Sequence, residues 1–336
     1  MVTDNTQTIA VLGAGSWGTA LAMLLARNNQ QINLWSHNSE HARAMQHDRE
    51  NNRYLPGLTF PEKLTVTSDL KTALENVSNI LIVVPSHAFR ETLNLLKPLL
   101  TSTHRIAWAT KGLETDTHKL LHRVAREELG DTISLAVISG PTFAKEVAQG
   151  LPGAVTVASD DQSLAFEWAN LLHNDHFRAY TGDDVIGVEL GGACKNVIAI
   201  AAGIADGMGF GANARAALIA RALTEITRLG VSVGANAETF TGLTGLGDLV
   251  LTCTDDQSRN RRTGIALGEG KRLELVVKEI GQVVEGVATA KEVVALAKQQ
   301  DIDMPITEQV YNVLYNNYSP EAAVNALFNR TIKKEY

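Results

Sequence analysis

A chain of 336 residues is long for one ordinary domain, so two are expected; with 45% hydrophobic and 20% charged residues and no low-complexity run, both should be packed and globular. The net charge of −7 argues against a general nucleic-acid or membrane-surface binder, because either needs a basic face. The start, MVTDNTQTIAVLG, is a polar leader running into a strand, with no basic n-region and no long apolar stretch, so neither a signal peptide nor an integral membrane segment is expected and the location read is cytoplasmic.

Thr8 to Leu12 is a β-branched and aliphatic run, followed by Gly13-Ala14-Gly15-Ser16-Trp17-Gly18 and an Ala/Leu-rich segment from Thr19 to Arg27. In that strand, turn and helix setting, GxGxxG is a dinucleotide fingerprint. Gly13 allows the tight turn, Gly15 lets the backbone approach a pyrophosphate, Gly18 permits close helix packing, and the helix N-terminus favours the anion; Ser16 and Trp17 then line the cofactor. Ile32 to Trp35 reads as the second strand and ends in Ser36-His37-Asn38, where an NAD-specific site usually places an acid for the ribose hydroxyls. That acid is missing. His37 and Arg43 suit a 2′-phosphate instead, so NADP(H) is favoured and NAD(H) stays open.

A strand at Leu64 to Thr67, a helical piece at Leu70 to Leu74 and an apolar run at Ile80 to Val84 come next. Ile106 to Thr110 repeats the apolar pattern and delivers Lys111 at its carboxyl end, where open α/β sheets bind ligands, so Lys111 is a site candidate. After a helix at Lys119 to Glu128, the strand Ser134 to Ile138 ends in Ser139-Gly140-Pro141-Thr142, a tight turn that aims the Thr142 hydroxyl and local backbone donors into the same crevice. Ala154 to Ala158 and Phe177 to Thr181 are further strands, and the alternation predicts a mainly parallel, doubly wound, Rossmann-like α/β sheet.

From about Glu189 the pattern changes to apolar segments at helical spacing: Gly192 to Ile204, Asn213 to Leu229, Gly264 to Gly268, Thr289 to Lys298 and Ile306 to Tyr315. The expected division is a sheet domain over 1–188 and an all-helical C-terminal domain over 189–336. Lys195 is the single charged side chain between Glu189 and Asp206. Either its ammonium snorkels to water, or Gly191, Gly192 and Asn196 frame a pocket in which it serves as a general base. Cys194 and Cys253 make no CxxC and no Cys/His cluster, so they read as core residues, with no disulfide framework and no metal site.

Thr241 to Gly264 reads as a long ordered loop, of the kind that is commonly functional. In it Asp248 follows three glycines, and Ser258-Arg259-Asn260 is a donor cluster suited to an oxyanion, the alternative being a solvated basic turn of Arg259, Arg261 and Arg262. Val283-Val284-Glu285-Gly286 reads as a short turn whose exposed Glu285 accepts bonds from a cofactor amide or ribose.

Together these stretches resemble the bacterial NAD(P)-dependent sn-glycerol-3-phosphate dehydrogenases, nearly end to end and in order: GAGSWG from Gly13, WATKGL from Trp108, SGPTFAKEV from Ser139, GGACKNVIAIAAGI from Gly191, TGLTGLGDL from Thr241, SRN from Ser258 and VVEG from Val283. The resemblance implies a Rossmann-like domain followed by an all-helical one. It implies cofactor contacts at Ser16, Trp17, His37, Tyr54, Lys111, Ala144, Arg259, Val283 and Glu285. Substrate contacts are implied at Lys111, Gly140, Thr142, Lys195, Asp248, Ser258, Arg259 and Asn260, with Lys195 as proton acceptor, Asp248 orienting it or a substrate hydroxyl, and Lys111 spanning substrate and cofactor. The implied reaction is reversible hydride transfer between NADP or NAD and C2 of a phosphorylated three-carbon substrate, interconverting dihydroxyacetone phosphate and sn-glycerol 3-phosphate for glycerophospholipid synthesis. A homodimer is the base-rate expectation. Two rivals are a 2-ketoacid or β-hydroxyacid reductase of similar architecture and a non-catalytic NADP(H) sensor.

Overall fold

The computed structural model describes residues 6–332, 334 and 335. The chain divides into two compact units, Met1–Lys111 with Leu120–Glu189, and Gly112–Lys119 with Leu190–Tyr336.

In the first unit the elements are β1 (Thr8–Leu12), α1 (Ser16–Arg27), β2 (Gln31–Trp35), α2 (Ser39–Asp48), β3 (Glu50–Asn51), β4 (Leu55–Thr59), β5 (Leu64–Thr67), α3 (Leu70–Ala73) and β6 (Asn79–Ile82). Then follow α4 (Phe89–Leu96), β7 (Arg105–Trp108), α5 (Leu121–Leu129), β8 (Leu135–Ser139), α6 (Ala144–Gln149), β9 (Gly153–Ala158), α7 (Gln162–Leu172) and β10 (Phe177–Gly182). Eight strands form one sheet in the order β10-β9-β8-β7-β6-β1-β2-β5, and only the β8–β9 pairing is antiparallel. The strand order reverses at β1, which pairs with β2 on one side and β6 on the other, so the carboxyl ends of β1 and β6 open the switch-point crevice. Side-chain alternation sends Ile9 and Val11 into one core layer and Ala10 and Leu12 into the other. In the second layer Phe89 meets Trp108 edge to face at 5.8 Å; truncating Trp108 would cost about 3–5 kcal/mol. The β3–β4 hairpin stands apart from the large sheet and has no counterpart in the sequence reading, because it is two residues paired with five around a turn.

α8 (Val185–Gly207) carries the chain into the second unit, starting seven residues before the apolar pattern was read to begin. It has the length and apolarity of a membrane span, 23 residues at mean hydropathy 1.5, but 89% of its most apolar window is buried inside the protein. After it come α9 (Ala212–Ser232), α10 (Asp248–Thr254), α11 (Arg259–Gly268), α12 (Leu273–Ile280), α13 (Glu285–Gln299), α14 (Pro305–Tyr315) and α15 (Pro320–Phe328); the described residues of this unit contain no strand. Helices α8 and α11 touch backbone to backbone: a Cβ on Gly203 would lie 2.1 Å from Arg261 O, and one on Gly264 would lie 2.1 Å from Ile200 O. Glycines four apart on each helix, Gly203 with Gly207 and Gly264 with Gly268, make that approach possible.

The long loop expected over Thr241 to Gly264 is corrected. It is one π turn at Leu243–Gly247 followed by α10 and the first half of α11. Its glycines pack instead of loosening the chain, for a Cβ on Gly245 would sit 2.1 Å from Phe240 O, and Ser258 is an N-cap accepting from Arg261 N at 3.2 Å.

Candidate active site

The glycine turn of the first unit is built from backbone. Gly13 has φ 118° and its missing Cβ would fall 2.5 Å from Val83 O, while a Cβ on Gly18 would fall 1.8 Å from Gly13 O. Gly15 is different: its φ is an ordinary −77°, and nothing of the protein lies within 4 Å of where its Cβ would be. It is also the N-cap of α1 and has no side chain to cap the helix, so the first N–H groups and the positive end of the helix dipole receive no side-chain cap from it. An anion fits there. Asn51, fully buried, holds this turn in place, donating to Ala14 O at 3.0 Å and Thr19 Oγ1 at 2.8 Å and accepting from Tyr54 N at 3.2 Å. No sequence signal pointed to Asn51, because the turn residues it donates to, Ala14 and Thr19, lie more than 30 residues away.

Ser16 donates from Oγ to Tyr54 O at 2.8 Å, tying the hairpin to the turn. Trp17 is half-buried against the core, and its Nε1 is buried without a hydrogen-bond partner. At the end of β2, His37 is exposed. His41 lies in α2, and burial pushes its imidazole down, with the Asn51 hydrogen bond acting the other way and nearby Arg53 and His37 lowering it further. Arg53 and His37 thus both lie near His41, and the strand tip Ser36-His37-Asn38 carries no acid. Arg53, its guanidinium 5.1 Å from the Tyr54 ring, was not singled out from sequence.

Beyond β7, Lys111 donates to Gly140 O at 3.4 Å, and Thr142 Oγ1 donates to the same carbonyl at 3.2 Å. Gly140 is required by close approach, since a Cβ would come within 2.8 Å of Ala154 O. Ala144 opens α6 two residues after Thr142. Lys111, Gly140 and Thr142 are therefore gathered in the first unit, as are Gly13, Gly15, Gly18, Ser16 and Tyr54.

In the second unit Lys195 does not snorkel. It is 6% exposed, and its ammonium meets Asp248 Oδ1 and donates to Thr252 Oγ1 at 3.0 Å. Asp248 is 0% exposed. Thr252, one turn further along α10, donates back to Asp248 O at 2.6 Å. A buried pair of this kind costs several kcal/mol in desolvation per ion and breaks at a cost of about 3–5 kcal/mol when one partner is removed. Gly191, read as room for a ligand or a backbone, serves a backbone: its Cβ would meet Thr244 O at 2.7 Å.

Beside this pair Asn196 donates to Glu285 Oε2 at 3.0 Å, Asn260 donates to Asn196 Oδ1 at 2.9 Å, and Gly286 N donates to Asn260 Oδ1 at 2.9 Å. Glu285 is not the exposed turn residue expected. It is partly buried and opens α13, where Gly286 lies so close to Asn196 that a Cβ would sit 2.5 Å from its carbonyl. Val283 just before it is 51% exposed. Arg259 is partly buried and donates to Gln282 Oε1 at 3.0 Å. The basic-turn alternative fails for Arg261, which is buried and paired with Asp206 at 2.7 Å and with Asp256; Arg262 alone of the three is exposed. Burial pushes the Cys194 and Cys253 thiols up to about 12, so neither supplies a thiolate. Among the described residues no three His, Cys, Asp or Glu side chains gather in a way that would hold a metal ion.

A mainly parallel sheet with an open glycine turn at its switch point, followed by an all-helical unit, places the chain in the class of Rossmann-type dinucleotide-binding proteins. The family profile described as NAD-dependent glycerol-3-phosphate dehydrogenase N-terminus matches residues 8–165, and the corresponding C-terminus profile matches residues 184–325. The glycerol-3-phosphate dehydrogenase [NAD(P)+] of Colwellia psychrerythraea is 57% identical over 97% of this chain and 98% of its own, and that of Haemophilus ducreyi is 56% identical over 100% of both. The crystal structure of glycerol-3-phosphate dehydrogenase from Coxiella burnetii superposes with a TM-score of 0.94 at 52% identity, covering 97% of this chain and 99% of that one. The chain belongs to the NAD-dependent glycerol-3-phosphate dehydrogenase family.

Proposed function

We propose that the chain interconverts dihydroxyacetone phosphate and sn-glycerol 3-phosphate, with the 1–188 region binding NADP(H) or NAD(H) and the 189–336 region binding substrate. The observation that carries this reading is a buried lysine–carboxylate pair in a chain 57% identical, over nearly its whole length, to a glycerol-3-phosphate dehydrogenase. The cofactor, when bound, supplies or takes up the hydride at C2. The open Cβ position of Gly15 and the uncapped start of α1 fit its pyrophosphate, and the cluster of His37, His41 and Arg53 supports a preference for the extra 2′-phosphate of NADP(H).

Lys195 donates a proton to the C2 oxygen as the ketone is reduced and accepts it from the hydroxyl in the reverse direction. Held in a dry site, its charge also stabilises negative charge developing on that oxygen. Asp248 and Thr252 orient the ammonium. Arg259 supplies the fork for the substrate phosphate, with Ser258 and Asn260 beside it; Lys111, Gly140 and Thr142 complete the polar contacts. Glu285, at the start of α13, meets the cofactor with Val283 and Ala144.

Glycerol 3-phosphate so formed would serve as the backbone of glycerophospholipids. Two free, buried cysteines support a reducing, cytoplasmic setting, and a homodimer follows the base rate. The test is oxidation of NADPH or NADH by purified protein with dihydroxyacetone phosphate, with unphosphorylated dihydroxyacetone, and with 2-ketoacids. Turnover with the phosphate ester alone is expected. Turnover with the acids instead would transfer the chain to the ketoacid reductases, and none with any substrate would favour a sensor.

A further inference from the structure

We propose that His118 and Glu292 are positioning residues for Lys111, an inference that rests on Lys111 being a site lysine. The chain leaving Lys111 makes an excursion over Gly112–Lys119 that belongs to the second unit. Gly112 turns at φ 118°, and Asp116 and His118 both take left-handed backbone, φ 68° and 59°, at a cost of about 1–2 kcal/mol each. The excursion is closed on itself: Glu114 N donates to Lys119 O at 2.9 Å, His118 N to Glu114 O at 3.1 Å, and Thr117 Oγ1 to Glu114 Oε2 at 2.5 Å.

Two consecutive residues of α13 anchor it. Lys291 meets Asp116 at 3.0 Å, but that pair is 46% and 77% exposed, and such pairs contribute less than about 1 kcal/mol. The second anchor is of another kind. His118 donates from Nδ1 to Glu292 Oε2, and Glu292 is 1% exposed. A carboxylate so deeply buried is costly without a partner, yet it takes no part in the proposed chemistry. Its place on the helix explains it. Glu285, which binds Asn196 next to Lys195, stands seven residues earlier on α13, two turns away and on the same face. One helix therefore carries the Asn196–Asn260 lattice at its first turn and the His118 anchor two turns on. The clip fixes, against the Lys195 neighbourhood, the segment joined to Lys111 by a single peptide bond. No sequence pattern marked it, since its two ends lie 174 residues apart.

The test uses His118→Asp and His118→Asn in the full chain, alone and with Lys111→Ala. Both replacements tolerate left-handed backbone, so they differ in one respect: Asn offers a donor where His118 has Nδ1, and Asp turns a like charge on Glu292. His118→Asp is expected to lower kcat/KM for dihydroxyacetone phosphate about tenfold or more, because small misplacements in a site are costly, whereas His118→Asn should stay within about threefold. In the Lys111→Ala background His118→Asp should cost less than about twofold further, as expected for residues acting through one group. Glu292→Gln, with thermal unfolding measured on every variant, separates lost positioning from lost folding. Equal effects of Asp and Asn, or effects that multiply with Lys111→Ala, would overturn the clip. A Lys111→Ala protein of ordinary activity would remove the reading on which it rests; a crippled Lys111→Ala protein beside an unaffected His118→Asp would remove the clip alone.

Discussion

The glycine turn of the first unit and the Lys195 network of the second are two ways of making a polar site. The turn is almost all backbone: two glycines whose Cβ atoms would collide with carbonyls, one whose Cβ would meet nothing, and a helix end without a cap. The Lys195 network is almost all side chain: an ammonium, two carboxylates, a hydroxyl and two amides drawn from helices α8, α10, α11 and α13. A backbone site depends on what is missing from the sequence and tolerates little added. A side-chain site depends on what is present and buried, and it brings charge into the core. The first arrangement suits a large anion of constant shape, the second a small molecule whose charge changes during reaction.

Substitutions can break that contrast at either end. A large effect on both turnover and stability is expected from Asp248→Asn, which leaves the Lys195 charge buried without its carboxylate. Turnover should fall by about 10³-fold and stability by about 3–5 kcal/mol, read from steady-state kinetics and thermal unfolding. Gly15→Ala should leave the melting temperature near that of the parent, since the position has ordinary φ and open space, yet weaken NADPH binding by about tenfold or more in a fluorescence titration. Unchanged affinity would mean that the open space is not the pyrophosphate cradle.

Proton linkage separates the units with opposite signs. In the first, Asp161 caps α7, and hydrogen bonds from Ser163 and Ser134 hold its carboxyl down at about 2; stability from it is present above the ordinary value of 3.8 and is lost as the pH falls toward 2. In the second, Glu225 on α9 accepts from Ile306 N and Thr307 N at the start of α14 beside a cavity of about 760 Å³. Burial pushes its carboxyl up from 4.5 to about 7, with those two bonds opposing. Because the folded form keeps its proton longer than an unfolded chain does, its contribution is complete below about 4.5 and is lost as the pH rises to about 7. The ceiling is about 3 kcal/mol. Glu225→Gln should flatten the fall in melting temperature between pH 5 and 8. The smallest effect is expected from exposed His37: His37→Ala should shift the NADPH to NADH preference by a few-fold, read from the ratio of kcat/KM values, and an unchanged ratio would leave His37 a surface residue.

How far the sequence could be read follows the same division. The first strand was legible to its end residues and the fingerprint to each glycine, because a turn fixed by missing side chains writes itself into consecutive positions. Lys195 was legible as a charge out of place, whereas the role of Asp248 in orienting it or a substrate hydroxyl came from the family resemblance. Thr252, Asn51 and the acceptor of Asn196 were not, since a hydrogen bond joining positions 32 to 89 residues apart leaves no local pattern. Helices α10 and α11 were hidden by the glycines before α10 and the polar residues and glycines of α11, which looked like loop composition; instead Gly245 and Gly264 let backbone pack on backbone, and Ser258 caps α11. Glu285 was misread as exposed for a similar reason: its partner Asn196 belongs to another helix.

The most direct measurement takes Lys195→Ala and records NADPH affinity and dihydroxyacetone phosphate reduction on the same sample. If chemistry resides in the side-chain site and cofactor binding in the backbone site, turnover will fall by about 10³-fold or more while the NADPH dissociation constant stays within about twofold. Affinity falling in step with turnover, or turnover surviving without the lysine, would contradict the separation on which the account stands.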